Sequence, residues 1–131
     1  MEIHLKIIGA CLLLLGIAHI GFPRYFKWKQ ELMKLSLINR QMFGSHTFFI
    51  ALTVTLIGAL CLTYADDLIH TALGNVLSLG LGIFWLLRLY FQLFVYSSAL
   101  WKGKAFETLT HIVFSLFWGY MSFVFLSIYF Q

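Results

Sequence analysis

Charge is what this sequence has least of. Only 11% of its 131 residues are Asp, Glu, Lys or Arg, where a soluble domain carries about 25%. A water-soluble chain of this length has too little polar surface to cover the remainder. There is one proline, Pro23, which is read as lying in a loop, so that no proline interrupts a helix. The two cysteines, Cys11 and Cys61, sit inside apolar stretches, form no CxxC redox motif and do not suggest a disulfide framework. They read as packed small residues. Glycine-rich phosphate loops, HExxH pairs, desaturase-like histidine runs and nucleophile elbows are all missing. Apart from Glu107 at the very start of the last hydrophobic run, no acidic residue falls inside one, so no carboxylate is placed to relay protons or carry a cation through such a run.

What is present is apolar. Hydrophobic residues make up 61% of the chain and aromatics 18%, and the mean hydropathy is +0.89. The pI of 9.2 does not indicate nucleic acid, because most of the basic residues fall between the hydrophobic runs. There, anionic headgroups and the inside-positive bias of membrane proteins account for them. The start of the chain lacks the basic segment and small-residue cleavage site of a secretory signal and reads as a retained first helix.

A membrane-spanning helix needs about 20 mostly apolar residues. Four runs qualify: Ile3 to Phe22, Met42 to Tyr64, Ala72 to Leu100 and Phe106 to Phe130. The expected fold is an all-α integral membrane protein, one domain over residues 1–131. It would be a four-transmembrane-helix bundle with a short interfacial amphipathic helix between helices 1 and 2. That helix belongs to the segment 23–41, where Tyr25, Trp28, Leu32 and Leu35 recur at helical spacing among Lys27, Lys29, Glu31 and Lys34. Asn39 is placed to cap the second span. The second connection, Ala65 to Thr71, reads as a short acidic loop, and the third, Trp101 to Ala105, as a tight turn around Gly103. Gly80 and Gly82, near Gly74, would allow helices to approach closely.

Arg24, Lys27, Lys29, Lys34 and Arg40 lie in the first connection and Lys102 and Lys104 in the third, seven of the nine basic residues. The positive-inside rule puts both connections in the cytoplasm and both termini outside it. The expected location is a bacterial inner membrane.

Polar groups inside hydrophobic spans are costly and usually face a bundle interior or a cavity. His19, His46 and His111 fall on three spans, each within roughly 5–8 Å of the cytoplasmic boundary at a 1.5 Å rise per residue. His4 and His70 fall toward the other side. Arg88, Gln92 and Tyr96 follow one another at i, i+4 and i+8 and share a helical face. Ser115 and Ser122, and Thr53 at i+7 from His46, extend the polar seam. Arg88 is the most anomalous of these. Glu31 and Glu107 are the only acids near its side of the membrane, and neither is deep enough to pair with it. That leaves room for an anionic ligand.

Three functions are expected from this pattern. In the first, His19, His46 and His111 bind a transition metal (zinc, iron or copper), or two of them bind haem. Redox or metal-assisted chemistry would follow on a lipophilic substrate oriented by Arg88 and Gln92. In the second, a metal-free membrane enzyme uses a histidine as general base and Arg88 to stabilise developing negative charge, with Tyr96 and Glu31 at the site, Glu31 on a lid formed by the interfacial segment. In the third, the seam is the interface of a non-catalytic homo-oligomeric subunit or channel component. Membrane lipids and a lipophilic or anionic small molecule are the expected partners, and nucleic acid is not one.

Overall fold

A computed structural model describes residues 1–131, and every regular element in it is helical. In chain order these are α1 (Glu2–Tyr25), α2 (Trp28–Leu32), α3 (Leu37–Thr63), α4 (Ala65–His70), α5 (Ala72–Tyr90), a π-helical turn (Phe91–Val95), a 3-10 turn (Ser98–Leu100) and α6 (Ala105–Phe130). Four helices are long and apolar enough to cross a membrane: Glu2–Tyr25, Leu37–Thr63, Ala72–Val95 and Ala105–Phe130. The contacts divide the chain into two compact units. One is Ile3–Ala65, and the other is Asp66–Gln131 with Met1–Glu2.

In the first unit α1 buries Leu5, Ile8, Gly9, Leu12 and Gly16, a stripe spaced at three and four residues as one helical face requires. α3 answers with Val54, Gly58 and Cys61. The two helices run antiparallel, and their backbones meet where each carries glycine. A Cβ on Gly9 would sit 2.7 Å from the Gly58 carbonyl oxygen, and one on Gly58 would sit 2.9 Å from that of Gly9. Small residues at a contact let apolar helices gain dispersion along their length. Outside this stripe large apolar side chains such as Leu14, Ile20, Phe48 and Leu56 are exposed.

The first connection differs from the expectation at both ends. α1 continues through Pro23 to Tyr25, and Phe26 N–H still bonds the Phe22 carbonyl at 2.9 Å. Pro23 is tolerated because it lies in the last turn, where its missing N–H costs one backbone bond. The chain turns out of the helix through Lys27, whose φ of 54° is left-handed. α3 starts at Leu37 rather than Met42, and its cap is Ser36, whose hydroxyl accepts from Asn39 N–H at 3.4 Å. Asn39 is therefore the capped residue, not the cap. Between these ends the helical part is only the five residues of α2. Trp28 packs edge-on against Phe43 at 4.8 Å.

In the second unit the acidic connection is itself a short helix, α4, with His70 Nδ1 donating to Asp66 Oδ1 at 2.9 Å. Thr71 then caps α5 by accepting from Gly74 N–H at 2.9 Å. α5 buries Gly74, Ser78, Gly82 and Trp85, a small-xxx-small-xxx-small run that ends in tryptophan. α6 buries Trp118, Met121, Ser122, Val124, Phe125 and Ile128. The pair is antiparallel, with Gly82 against Leu126 near one end and Gln92 bonded to His111 toward the other. Gly80 has open space around its Cβ position and is not part of the contact.

The third span does not reach Leu100 as one helix. It widens into the π-helical turn, and the chain leaves it at Tyr96 in extended conformation, ψ 134°. Ser97 makes the break local, because its hydroxyl accepts from Ala99 N–H at 3.2 Å and caps the 3-10 turn. Serine used in this way offers the backbone an alternative to the helix. The turn at Gly103, φ 75°, stands as expected.

Candidate functional site

Polar side chains gather at the end of the second unit where α5 gives way to the π-helical turn. Gln92 lies in that turn and is buried. Its Nε2 donates to His111 Nδ1, on α6, at 2.9 Å. With Nδ1 accepting, a neutral imidazole carries its proton on Nε2, so His111 offers an N–H donor on its free side. The indole of Trp101 lies flat on the same imidazole, with centroids 3.8 Å apart and planes 11° from parallel. Trp101 is itself tied to α6, because Thr108 Oγ1 donates to its carbonyl at 2.7 Å. His111 is thus fixed in its plane by Gln92 and over its face by Trp101.

One helical turn before Gln92, the Arg88 guanidinium carbon sits 5.3 Å from the Trp118 ring centroid and 5.4 Å from that of Tyr96. These are cation–π contacts. Arg88 is half-buried and makes neither an ion pair with a carboxylate nor a hydrogen bond to another protein group. Beneath it Trp118 stacks on Trp85, at 5.0 Å and 8°, and Phe114 on Trp118 at 5.3 Å. The Nε1–H groups of both Trp85 and Trp118 are buried without a partner. Further along α5, Ser78 Oγ and Asn75 Oδ1 are unpartnered as well.

The residues expected at a site therefore fall into two sets. Arg88, Gln92, Tyr96 and His111 are brought together. Glu31, His19 and His46 belong to the first unit. Glu31 is exposed, with its carboxylate 3.7 Å from Lys34 Nζ. His19 Nδ1 donates to the Leu15 carbonyl at 2.7 Å and its ring packs on Phe22 at 4.7 Å. That tautomer leaves a lone pair on Nε2 fit to ligate. His46 and Thr53 are exposed. Within neither unit do three or more His, Cys, Asp or Glu side chains gather into a group able to hold a metal ion. α1 runs on past Phe22 and α3 begins before Met42. His19 and His46 lie roughly 9 and 13.5 Å along the helix from those ends. Ser115 and Ser122 donate to carbonyls of their own helix, those of His111 and Trp118, each at 2.7 Å.

Three tryptophans belong to the site that polar spacing alone does not select. Trp85 is at i−3 from Arg88 and Trp118 at i+7 from His111, so helical spacing carries a signal for both. Trp101 lies in a turn and has none.

Chemically the assembly is rich in donors: the Arg88 N–H groups, His111 Nε2–H and two indole N–H groups. Its acceptors are fewer, namely Gln92 Oε1 and the Tyr96 hydroxyl. Such a set recognises an acceptor-rich, negatively charged group. No protein-family model, curated protein or solved structure matches the chain.

Proposed function

We propose that the protein is an integral membrane protein whose second helical hairpin binds the oxyanion of an amphiphilic ligand, with Arg88 as the charge partner. The observation that carries this reading is Arg88 itself, half-buried on a helix long and apolar enough to span, set against two aromatic rings and paired with no carboxylate. An arginine at a span centre costs about 2.5–3.5 kcal/mol on insertion scales. Cation–π contacts offset about 0.5–2 kcal/mol of this, and an anion supplies the remainder. His111 Nε2–H, one turn away, donates to a second acceptor on the ligand.

In this reading both basic connections face the cytoplasm and both termini lie outside it, in a bacterial inner membrane. The exposed Tyr25, Phe26, Met33 and Leu35, interleaved with lysines, anchor the first connection in the headgroup layer. A histidine-held metal or haem is less well supported. His46 is exposed, and His111 presents a proton rather than a lone pair.

The test is thermal unfolding of the detergent-purified protein with oleate, a long-chain alkyl phosphate and the uncharged alcohol of matching chain. The oxyanions are expected to raise Tm and the alcohol to leave it unchanged, and Arg88→Gln to abolish the response. An equal response to the alcohol, or an undiminished one in Arg88→Gln, overturns the proposal.

A further inference from the structure

The stacked pair beneath Arg88 raises a separate question. Trp85 and Trp118 are 2% and 4% exposed, yet neither Nε1–H has an acceptor. Buried polar groups are almost always bonded, and leaving one unpaired costs about 1–3 kcal/mol. Two such groups in contacting rings, one of those rings carrying the unpaired guanidinium of Arg88, form a cluster of donors with nothing to donate to. Resting on the reading of Arg88 given above, we infer that the indole N–H groups of Trp85 and Trp118 are ligand-binding groups and that the oxyanion they hold with Arg88 is the carboxylate of a single-chain amphiphile.

Two arguments select the carboxylate. The first is hydrogen-bond capacity. A carboxylate is acceptor-only, with about four lone-pair sites on two oxygens, which matches a guanidinium edge and two indole N–H groups without introducing a donor that would go unmatched. The second is depth. Arg88 lies seven residues before Val95, the end of its span, or roughly 10 Å along the helix. A diacyl phospholipid is held at the headgroup layer by its phosphodiester and second chain. A single-chain carboxylate is small enough to sink to Arg88 with its tail among the exposed apolar side chains of the hairpin.

The chain has four tryptophans, Trp28, Trp85, Trp101 and Trp118, so a ¹⁵N-indole spectrum of the full-length protein in micelles contains four N–H signals, assigned by single Trp→Phe variants. Oleate is expected to move the Trp85 and Trp118 signals downfield, as a new hydrogen bond to a charged acceptor does, and to leave Trp28 in place. Trp118→Phe keeps a stacked ring and loses the N–H, and it should weaken oleate about tenfold. Trp85→Phe serves as the second variant should Trp118→Phe unfold. Unmoved Trp85 and Trp118 signals, with a Tm rise from oleate that still depends on Arg88, overturn this inference and leave the oxyanion site standing. Equal affinity for the alkyl phosphate overturns the carboxylate assignment. No Arg88-dependent response to either oxyanion overturns both readings.

Discussion

Gln92 and His111, nineteen residues apart, are joined by one hydrogen bond from Nε2 to Nδ1 at 2.9 Å. It ties the π-helical turn to α6 and sets which imidazole nitrogen carries the proton. Gln92→Leu leaves Nδ1 without its donor and should destabilise the protein by about 1 kcal/mol. A double-mutant cycle with His111→Phe, followed by denaturant unfolding in mixed micelles, should return a coupling of about 0.6 kcal/mol, the average for such bonds between membrane helices. Coupling indistinguishable from zero would mean that the bond does not form in solution.

The glycines give a graded prediction. Gly9→Ala places a methyl group against the Gly58 carbonyl, where only backbone movement makes room, and should cost about 1–3 kcal/mol. Gly82→Ala meets Leu126 Cδ2 and Cγ at 2.7 Å and its backbone nitrogen only at 3.2 Å, so side-chain movement relieves more of the clash and its effect should be smaller. Gly80→Ala faces open space and should be neutral or stabilising by up to about 1 kcal/mol from helix propensity. The order of the three Tm values checks the two helix contacts directly.

Metal analysis distinguishes the ligand reading from a histidine centre. The protein purified without added metal is expected to hold no stoichiometric zinc, iron or copper, and chelation should leave its Tm unchanged. Elemental analysis finding near-stoichiometric metal that is lost in His46→Ala would instead support a metal centre that includes His46.

Topology is checked by labelling whole cells with an impermeant maleimide, using single cysteines in a background where Cys11 and Cys61 are replaced. Asp67→Cys should label. Lys29→Cys and Lys104→Cys should label only after the membrane is opened. The reverse pattern would place Arg88 toward the opposite face.

The four long helices were legible because each rests on about 20 apolar residues, a signal that survives errors of several residues at either end. The ends were not. The left-handed turn at Lys27 and the cap at Ser36 depend on local backbone choices that hydropathy does not register. Arg88 and Gln92 could be paired from their i, i+4 spacing. Tyr96 does meet Arg88, but by a different route from the helical i+8 that suggested it, since the chain has already left the helix there and returns its ring through an extended residue. Trp101 on His111 is set by a turn and by the Thr108 hydroxyl, long-range facts with no periodicity to reveal them. Ser78 between Gly74 and Gly82 completes a small-residue stripe that was readable in the sequence and that the glycines alone did not suggest.

The π-helical turn at Phe91–Val95 sets a constraint of phase rather than length. Deleting one residue there would shorten the span by roughly 1.5 Å, well within what a bilayer accommodates by tilt or thinning. The same deletion would swing everything downstream by about 100°, carrying Tyr96 away from Arg88 and Trp101 away from His111. The interval from Arg88 to Trp101 is therefore counted by angle around the helix axis, and insertions or deletions in it should be tolerated only in combinations that restore the turn.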